Sequence, residues 1–252
     1  MKLVILGFSF FFFPAIVVAA GPATPQNILP YWQHSIHKPG SGGGSPTCGG
    51  TINVIQSTGH TSVSGTLTLV TTNAVTAGHT LYIGMWGEDF TTNIVSDPQG
   101  NAWKLVRAYN AASFGNVAIF SSTAIGTGGS NYTVNINSPG TSGGALLEVE
   151  GTDCLGVEDG SDDKTGTSST PNTDTVVTTA DGFMLGVGSH DTDVTASVWS
   201  GADGCFQVYQ QANNNALLSG SVCWKKTSLG VNNISWTNAE SINWFATAVE
   251  FK

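Results

Sequence analysis

The sequence predicts an all-β protein, built as a single antiparallel β-sandwich with little helix. The first observation is a succession of short runs rich in Val, Ile, Thr and aromatic residues, in which apolar and polar positions alternate. The second is that clusters of Gly, Asn, Asp and Ser separate these runs at fairly even spacing. The third is that no stretch keeps the i, i+3, i+4, i+7 apolar spacing of a helix. Together these patterns indicate two packed sheets.

The first 20 residues have the pattern of a secretory signal. Met1 and Lys2 form a short cationic start, an unbroken apolar run follows, and Ala19 and Ala20 supply the small residues that a signal peptidase requires. No cluster of Lys or Arg follows Ala20, as a stop-transfer flank would require. We therefore expect a secreted or cell-surface protein with no membrane span after cleavage.

Residues 21–47 differ in composition from the rest of the chain. This arm is rich in Pro and contains the run "GSGGGS", which is typical of a flexible linker. It also contains an apolar and aromatic cluster, Asn27–Trp32 ("NILPYW"). The β pattern begins at residue 48. The predicted organisation is a signal peptide at 1–20, a flexible arm at 21–47 and one β-sandwich domain at 48–252.

Segments with strand character follow one another along this domain. Between them, Asp97–Asn101 ("DPQGN") and Gly126–Asn131 ("GTGGSN") have the chemistry of hairpin turns. The predicted strands are, in order, "TINVIQ", "GTLTLVTT", "TLYIGMW", "AWKLVRAY", "NVAIFSST", "NYTVNIN", "ALLEVEG", "DTVVTT", "GFMLGVG", "CFQVYQQ", "LSGSVCW", "NNISWTN" and "WFATAVEF".

The four cysteines predict two disulfides, because an even number of cysteines in an exported chain is typical of a disulfide framework. We expect Cys205 to pair with Cys223, since the segments that contain them have the pattern of neighbouring strands in one hairpin. That pairing leaves Cys48 for Cys154. A zinc site is the alternative, but no C-x-x-C pair occurs in the sequence.

Composition excludes two classes of partner. Charged residues make up 10% of the chain, against about 25% in ordinary globular domains. The net charge is −9 with only 8 Lys and Arg, which disfavours nucleic acid and anionic membrane surfaces, because both require clustered cations. A surface rich in hydroxyl and amide groups suits contact with glycans or assembly with other proteins.

Two motifs suggest a serine hydrolase. "NAVTAGHTLYIG" presents His79 as chymotrypsin-like proteases present their general base, and "GTSGG" at 140–144 presents Ser142 as a nucleophile, with Asp97 available as the third member. The spacing disagrees with that family, because too few residues separate His79 from Ser142 and too many follow it. The G-x-S-x-G elbow also requires a helix after the serine, whereas the strand pattern "ALLEVEG" follows here. We therefore interpret His79 as a turn residue and expect no catalytic residues.

Over residues 65–252 the chain resembles a module of secreted and cell-surface bacterial proteins and of phage-like fibres. The residues that carry the resemblance are the turn "VTAGHTL", the hairpin "SDPQGN" and the closing strand "WFATAVEFK". The resemblance implies a jelly-roll-like β-sandwich with an extracellular role. It assigns no known site to particular residues of this chain.

The segment "VEDGSDDKTG" gathers acidic residues in a chain that has few of them. Clustered carboxylates repel unless a cation or solvent screens them, and Ca²⁺ takes six to eight oxygen ligands from such a loop. The spacing of an EF-hand is absent. Two alternatives stay open, a calcium site and a solvated acidic loop, and no cofactor is strictly required. The candidate ligands are Glu158, Asp159, Asp162 and Asp163.

Two tryptophans, Trp86 and Trp199, flank predicted turns and are candidates for ligand binding. An exposed indole stacks on the apolar face of a sugar, and nearby amides bind its hydroxyls. We expect a non-catalytic extracellular β-sandwich that adheres or self-associates at a cell surface, matrix or appendage. The alternatives are a carbohydrate-binding protein and, after that, a secreted hydrolase that is serine-type or calcium-dependent.

Overall fold

Strands joined by turns make up the chain wherever the structure describes it. No helix long and apolar enough to cross a membrane occurs among the described residues. The segments 1–20 and 21–47 and the predicted partners Cys48 and Cys154 lie outside the described residues. The structure is a computed structural model that describes residues 51–63, 65–87, 95–111, 115–123, 131–138, 140–151, 158–190, 199–211 and 218–252.

Seventeen strands occur in the described residues, and neighbouring strands in every sheet run antiparallel. Each segment predicted as a strand overlaps one of them, which confirms the all-β fold class. The strands are β1 (Asn53–Ser62), β2 (Thr66–Val70), β3 (Thr80–Gly87), β4 (Val95–Ser96), β5 (Lys104–Asn110), β6 (Asn116–Thr123), β7 (Thr133–Asn137), β8 (Ser142–Glu150), β9 (Glu158–Ser168), β10 (Val176–Thr178), β11 (Gly182–His190), β12 (Ser200–Ala202), β13 (Phe206–Gln211), β14 (Ser219–Thr227), β15 (Gly230–Asn232), β16 (Ser235–Thr237) and β17 (Ile242–Phe251).

Two five-stranded sheets form the central sandwich. Their strand orders are β1-β8-β3-β6-β5 and β13-β14-β11-β17-β9. Apolar side chains from both sheets meet in a central core. The outer face of the first sheet is covered by the small sheet β2-β7-β4, through a second core. The outer face of the second sheet is covered by the small sheets β10-β15 and β12-β16, through a third core.

Strand β3 shows the consequence of this layering for the sequence. All eight of its residues are buried. Tyr82 and Trp86 face the central core, whereas Leu81, Ile83 and Met85 face the second core. A strand covered on both faces has a continuous apolar sequence, without the alternation of a half-exposed strand. The "TLYIGMWG" run is therefore explained by the outer sheet.

The strand order of the first half of the domain is repeated in the second half. Read from its β9 edge, the second large sheet has the order β9-β17-β11-β14-β13, which matches β1-β8-β3-β6-β5 strand for strand. The small sheets correspond as well, since β10-β15 and β16-β12 together match β2-β7-β4. We call β1–β8 the N-terminal repeat and β9–β17 the C-terminal repeat.

Residue pairing is repeated along with strand order. In the N-terminal repeat Leu81 of β3 pairs with Glu148 of β8. In the C-terminal repeat Met184 of β11 pairs with Glu250 of β17. Both glutamates are fully buried and lie at corresponding positions. The two repeats therefore match residue by residue along their central strands.

Each edge strand of the two large sheets carries a β-bulge. The unpaired residues are Ile55 in β1, Val106 in β5, Asp159 in β9 and Val208 in β13. The bulges of β1 and β9 lie at corresponding positions, and so do those of β5 and β13. A bulge bends and twists an edge, which hinders pairing with a strand of another chain.

The repeats pack against each other with two-fold character. β1 lies beside β13, and β5 lies beside β9. Because β1 corresponds to β9 and β13 to β5, these two contacts are equivalent. At the β5–β9 edge Arg107 Nε donates to Asp163 Oδ1 over 3.2 Å, within a salt bridge. The corresponding residues at the other edge are Tyr209 and Gly59, and the Tyr209 ring lies directly over Gly59.

The predicted pairing of Cys205 with Cys223 is confirmed. The disulfide joins Cys205, the residue before β13, to Cys223 of the neighbouring strand β14, with 5.8 Å between the two Cα atoms. Cys223 is fully buried in the third core, and Cys205 is nearly so. The bond therefore links the turn between β12 and β13 to strand β14.

Loss of this disulfide should lower the free energy of unfolding by about 3 kcal/mol, because it closes a loop with a sequence separation of 18. The measurement is urea unfolding of the Cys205→Ala/Cys223→Ala variant beside the parent protein. A double variant is preferable to a reductant, since it leaves any other disulfide intact. Equal midpoints and slopes for the two proteins would show that the bond adds no stability.

Candidate functional site

His79 lies in the turn before β3, where its side chain is directed inward. Gly78 has φ +88°, which turns the chain, and His79 N donates to Thr76 O over 3.2 Å. The imidazole Nδ1 lies 2.7 Å from Glu148 Oε1. The carboxylate is fully buried, and the imidazole is 18% exposed. His79 is thus a turn residue, and its ring anchors that turn to β8.

Glu148 is the centre of a polar network that the sequence did not point to. Its Oε1 also accepts from Thr76 N over 2.8 Å, and its Oε2 accepts from Gln56 Nε2 over 2.6 Å. Gln56 Oε1 in turn accepts from Asn73 N over 3.1 Å. A buried carboxylate is stable only when donors surround it. The network fixes the loop between β2 and β3 to the sheet.

The structure does not bring His79, Asp97 and Ser142 together. His79 precedes Thr80, and Ser142 pairs with Gly87 at the opposite end of β3. Seven residue steps along a strand separate these ends by about 23 Å. Ser142 is fully buried, and its Oγ has no hydrogen-bond partner among the described residues.

Asp97 shapes its own turn, away from both residues. Its Oδ1 accepts from Gln99 N over 2.9 Å, and its Oδ2 accepts from Trp103 Nε1 over 2.6 Å. Gly100 has φ +69°, as the predicted "DPQGN" hairpin turn requires. Burial, and then the nearby charge of Asp97, raise the pKa of the Tyr132 hydroxyl. These contacts give Asp97 a structural role.

The "GTSGG" motif has a packing explanation. Ser142, Gly143 and Gly144 begin strand β8. A Cβ on Gly143 would lie 2.3 Å from the indole of Trp86, and one on Gly144 would lie 2.6 Å from the carbonyl oxygen of Gly84. Both positions therefore require glycine because other atoms occupy the space above them.

Trp86 and Trp199 are fully buried, which corrects the expectation that they flank turns as exposed indoles. Trp86 lies in the central core, and Trp199 lies in the third core. Trp199 stacks on His190 at 6.0 Å and meets Trp236 edge to face at 5.6 Å. The two large sheets enclose Trp86, and a small outer sheet covers Trp199, so neither indole offers a face to a sugar.

The acidic segment forms strand β9, where a loop was expected. Pairing with β17 holds it at the edge of the second large sheet, where charged residues are tolerated. Consecutive residues of a strand face opposite sides, so Asp162 and Asp163 diverge. Asp163 bonds Arg107 and accepts from Thr247 Oγ1 over 2.6 Å. For the other two candidate ligands, Glu158 and Asp159, the side chains lie outside the described residues.

A groove lies at the edge where β5 meets β9 and β17. Its volume is about 420 Å³, and it lies where the two repeats meet. Tyr109 supplies a half-buried aromatic ring from the N-terminal repeat. Trp244 of the third core, which is 5% exposed, supplies only a small part of its indole from the C-terminal repeat. The residues that line it carry no charge, and they are Tyr109, Asn110, Ala111, Thr165, Gly166, Thr167, Asn243 and Trp244.

The C-terminal wall of the groove is held in place by its own hydrogen bonds. Trp244 Nε1 donates to Ser168 Oγ over 3.0 Å, and Thr167 Oγ1 donates to Asn243 Oδ1 over 2.6 Å. A Cβ on Gly166 would lie 2.8 Å from the indole of Trp244, so glycine lets the ring lie against β9. The hydrogen bond from Thr167 orients the amide of Asn243.

The groove combines aromatic rings with neutral amide and hydroxyl groups, which is the chemistry that the sequence analysis assigned to Trp86 and Trp199. Sequence reasoning missed it because Tyr109 and Trp244 come from different repeats. "WKLVRAYN" and "INWFATAV" have the pattern of ordinary strands, and only the packing of β5 beside β9 brings their ends together. Comparison with protein-family models, with curated proteins and with solved structures finds no match to this chain.

Proposed function

We propose that this protein is a non-catalytic extracellular adhesive protein that binds a neutral carbohydrate in the groove between Tyr109 and Trp244. The extracellular part of the proposal rests on the signal pattern of residues 1–20. The adhesive part rests on the lining of the groove, which is the observation that carries the proposal.

The chemistry of the groove suits a sugar. One face of many pyranose rings is apolar and packs against aromatic side chains, while the ring hydroxyls need hydrogen-bond partners around the rim. Asn243 Nδ2 offers donors beside the Oδ1 that accepts from Thr167, and Asn110, Thr165 and Thr167 add further amide and hydroxyl groups to the lining.

The negative charge of the protein favours neutral over acidic carbohydrates. The chain carries a net charge of −9, and the lining of the groove supplies no cation. An acidic polysaccharide would be repelled by the protein as a whole and would find no basic group to bind. The preferred ligand is therefore a neutral oligosaccharide.

The frame of the groove is rigid. Its polar residues lie on or beside strands of the large sheets, and the Arg107–Asp163 salt bridge joins the two repeats close by. A site that is already ordered loses little entropy when a ligand binds. A groove that makes only a few contacts with its sugar is then sufficient for adhesion, because many copies of the protein bind the same surface together.

Replacement of Tyr109 or Asn243 by alanine should weaken sugar binding about tenfold each, because each substitution removes a contact worth about 1.4 kcal/mol. The protein is first screened on an array of neutral and acidic oligosaccharides, and the best neutral oligosaccharide is then titrated calorimetrically. Thr141→Ala is the matched control, because Thr141 occupies the position in the N-terminal repeat that corresponds to Asn243. Its affinity should equal that of the parent protein.

Two results would contradict the proposal. One is the absence of any bound neutral oligosaccharide on the array. The other is binding that Tyr109→Ala and Asn243→Ala leave unchanged while both variants keep the parent unfolding midpoint.

A further inference from the structure

Two segments of the chain have the sequence Asn-x-Ser/Thr, which is the acceptor motif for asparagine-linked glycosylation. They are Asn131–Thr133 ("NYT") and Asn233–Ser235 ("NIS"). Enzymes of the secretory pathway attach an oligosaccharide to the side-chain amide of the asparagine in this motif. Three residues alone are a weak signal, so the surroundings of each asparagine decide whether a bulky, hydrated glycan fits there.

The Asn131 motif lies in a turn at the surface. Asn131 is exposed, and the half-buried Thr133 begins β7. Thr133 Oγ1 donates to Asn131 O over 3.0 Å, which holds the hydroxyl close to the asparagine. Tyr132 between them is buried in the second core, and its hydroxyl accepts from Asn101 Nδ2 over 2.7 Å. The middle residue therefore anchors the motif to the domain while the asparagine is accessible to solvent.

The second motif belongs to the packed outer layer of the C-terminal repeat. Asn233 is half-buried, and Ile234 is fully buried in the third core. Ile234 N donates to Thr173 Oγ1 over 3.0 Å, and Ser235 Oγ donates to Asp203 Oδ2. A glycan on Asn233 would crowd this packing, whereas a glycan on Asn131 extends into solvent.

We propose that Asn131 carries an N-linked glycan and that Asn233 does not. Glycosylation requires the export proposed above and a transferase whose donor is an oligosaccharide joined to a lipid pyrophosphate. In the transfer step Asn131 Nδ2 bonds to the anomeric carbon of the first sugar. The bond from that carbon to the pyrophosphate oxygen breaks, the lipid pyrophosphate leaves with the electron pair, and one amide proton passes to a base of the transferase.

A glycan at Asn131 leaves the sugar-binding groove open. The hydrogen bond from Asn101 to Tyr132 places the turn beside the segment that precedes β5, whereas residues 109–111 line the groove at the far end of that strand. The seven residues of β5 separate its two ends by about 20 Å. The glycan thus adds a hydrated group to the first outer sheet without blocking the ligand.

The test is intact-mass spectrometry of the secreted protein before and after digestion with peptide-N-glycosidase. The full chain is expressed in eukaryotic cells that glycosylate secreted proteins, beside a form in which a host signal sequence replaces residues 1–20. Digestion should remove the mass of one oligosaccharide, and peptide mapping should locate it at Asn131. Failure of the full chain alone to reach the medium would contradict the proposed export, and the second form would still show whether Asn131 is an acceptor.

Substitutions within the motif separate glycosylation from folding. Asn131→Asp removes the acceptor amide and keeps a residue that tolerates the left-handed backbone here, where φ is +61°. Thr133→Val removes the hydroxyl and keeps a β-branched side chain in β7, while Thr133→Ser keeps the hydroxyl. The first two variants should be secreted without the oligosaccharide, whereas Thr133→Ser and the matched control Asn233→Asp should retain it. A secreted parent protein whose mass digestion leaves unchanged, or a glycan that persists in Asn131→Asp, would overturn the proposal.

Discussion

Replacement of Trp86 by alanine is expected to lower the free energy of unfolding by about 3–5 kcal/mol, the range for deletion of a large buried aromatic side chain. The indole is fully buried, lies between Gly143 of β8 and Gly220 of β14, and stacks on Tyr209 at 6.1 Å. It fills the space between the two large sheets where their glycines leave room. Urea unfolding followed by circular dichroism measures the change.

A double-mutant cycle tests this contact, with Gly143→Ala measured alone and combined with Trp86→Ala. The added methyl group would lie 2.3 Å from the indole, so the single variant should lose about 1–3 kcal/mol through overpacking. In the double variant the indole is absent, and the methyl group occupies part of the cavity. The cost of the double variant should therefore be at least about 1 kcal/mol below the sum of the single costs. Additive costs would mean that the indole does not occupy this space.

Replacement of Glu148 by alanine is expected to cost about 3–5 kcal/mol, since it leaves buried donors without their acceptor. His79 Nδ1, Gln56 Nε2 and the amide of Thr76 all bond this carboxylate. His79→Ala should cost less, about 1–2 kcal/mol, because the carboxylate keeps two of its three partners. Chemical denaturation of the two variants gives both values.

Glu150→Ala is the control for this pair. Glu150 lies on the same strand two residues away and is exposed, so its loss should change stability by less than about 0.5 kcal/mol. The interpretation of His79 as an anchor of the turn also predicts that a fluorophosphonate probe leaves Ser142 unlabelled in the folded protein. Labelling of Ser142, together with loss of that labelling in His79→Ala, would restore the hydrolase hypothesis.

Local pattern predicted most strands, because side-chain alternation and turn chemistry are properties of neighbouring residues. The "DPQGN" turn and the Cys205–Cys223 pairing followed from such signals. Strand β9 was missed because its Asp, Gly and Lys residues disfavour strands in isolation. Pairing with ten residues of β17 overrides that preference.

The site was harder to predict than the fold. Trp86 was a candidate for ligand binding because it flanks a predicted turn in "GMWGEDF". Its burial depends on Gly220, a residue of the other repeat. Tyr109 and Trp244 also come together only because the two repeats pack against each other, and no local sequence pattern indicates that contact. The sequences of the two repeats share little: both contain "VTT", at 70–72 and 177–179, and both have a glutamate at the position of Glu148 and Glu250.

The repeated strand order bears on how many copies of the groove one molecule carries. Two identical protomers related by a two-fold axis would carry every edge feature twice, so a groove at one edge would be matched by a groove at the other. In a single chain the two edges are encoded separately and have different residues. The position that corresponds to Tyr109 is Gln211, and the one that corresponds to Trp244 is Ser142. Among the described residues the aromatic groove therefore has no counterpart at the opposite edge. The proposed glycan binding would then be monovalent, and cross-linking of a glycan surface would require several molecules held side by side.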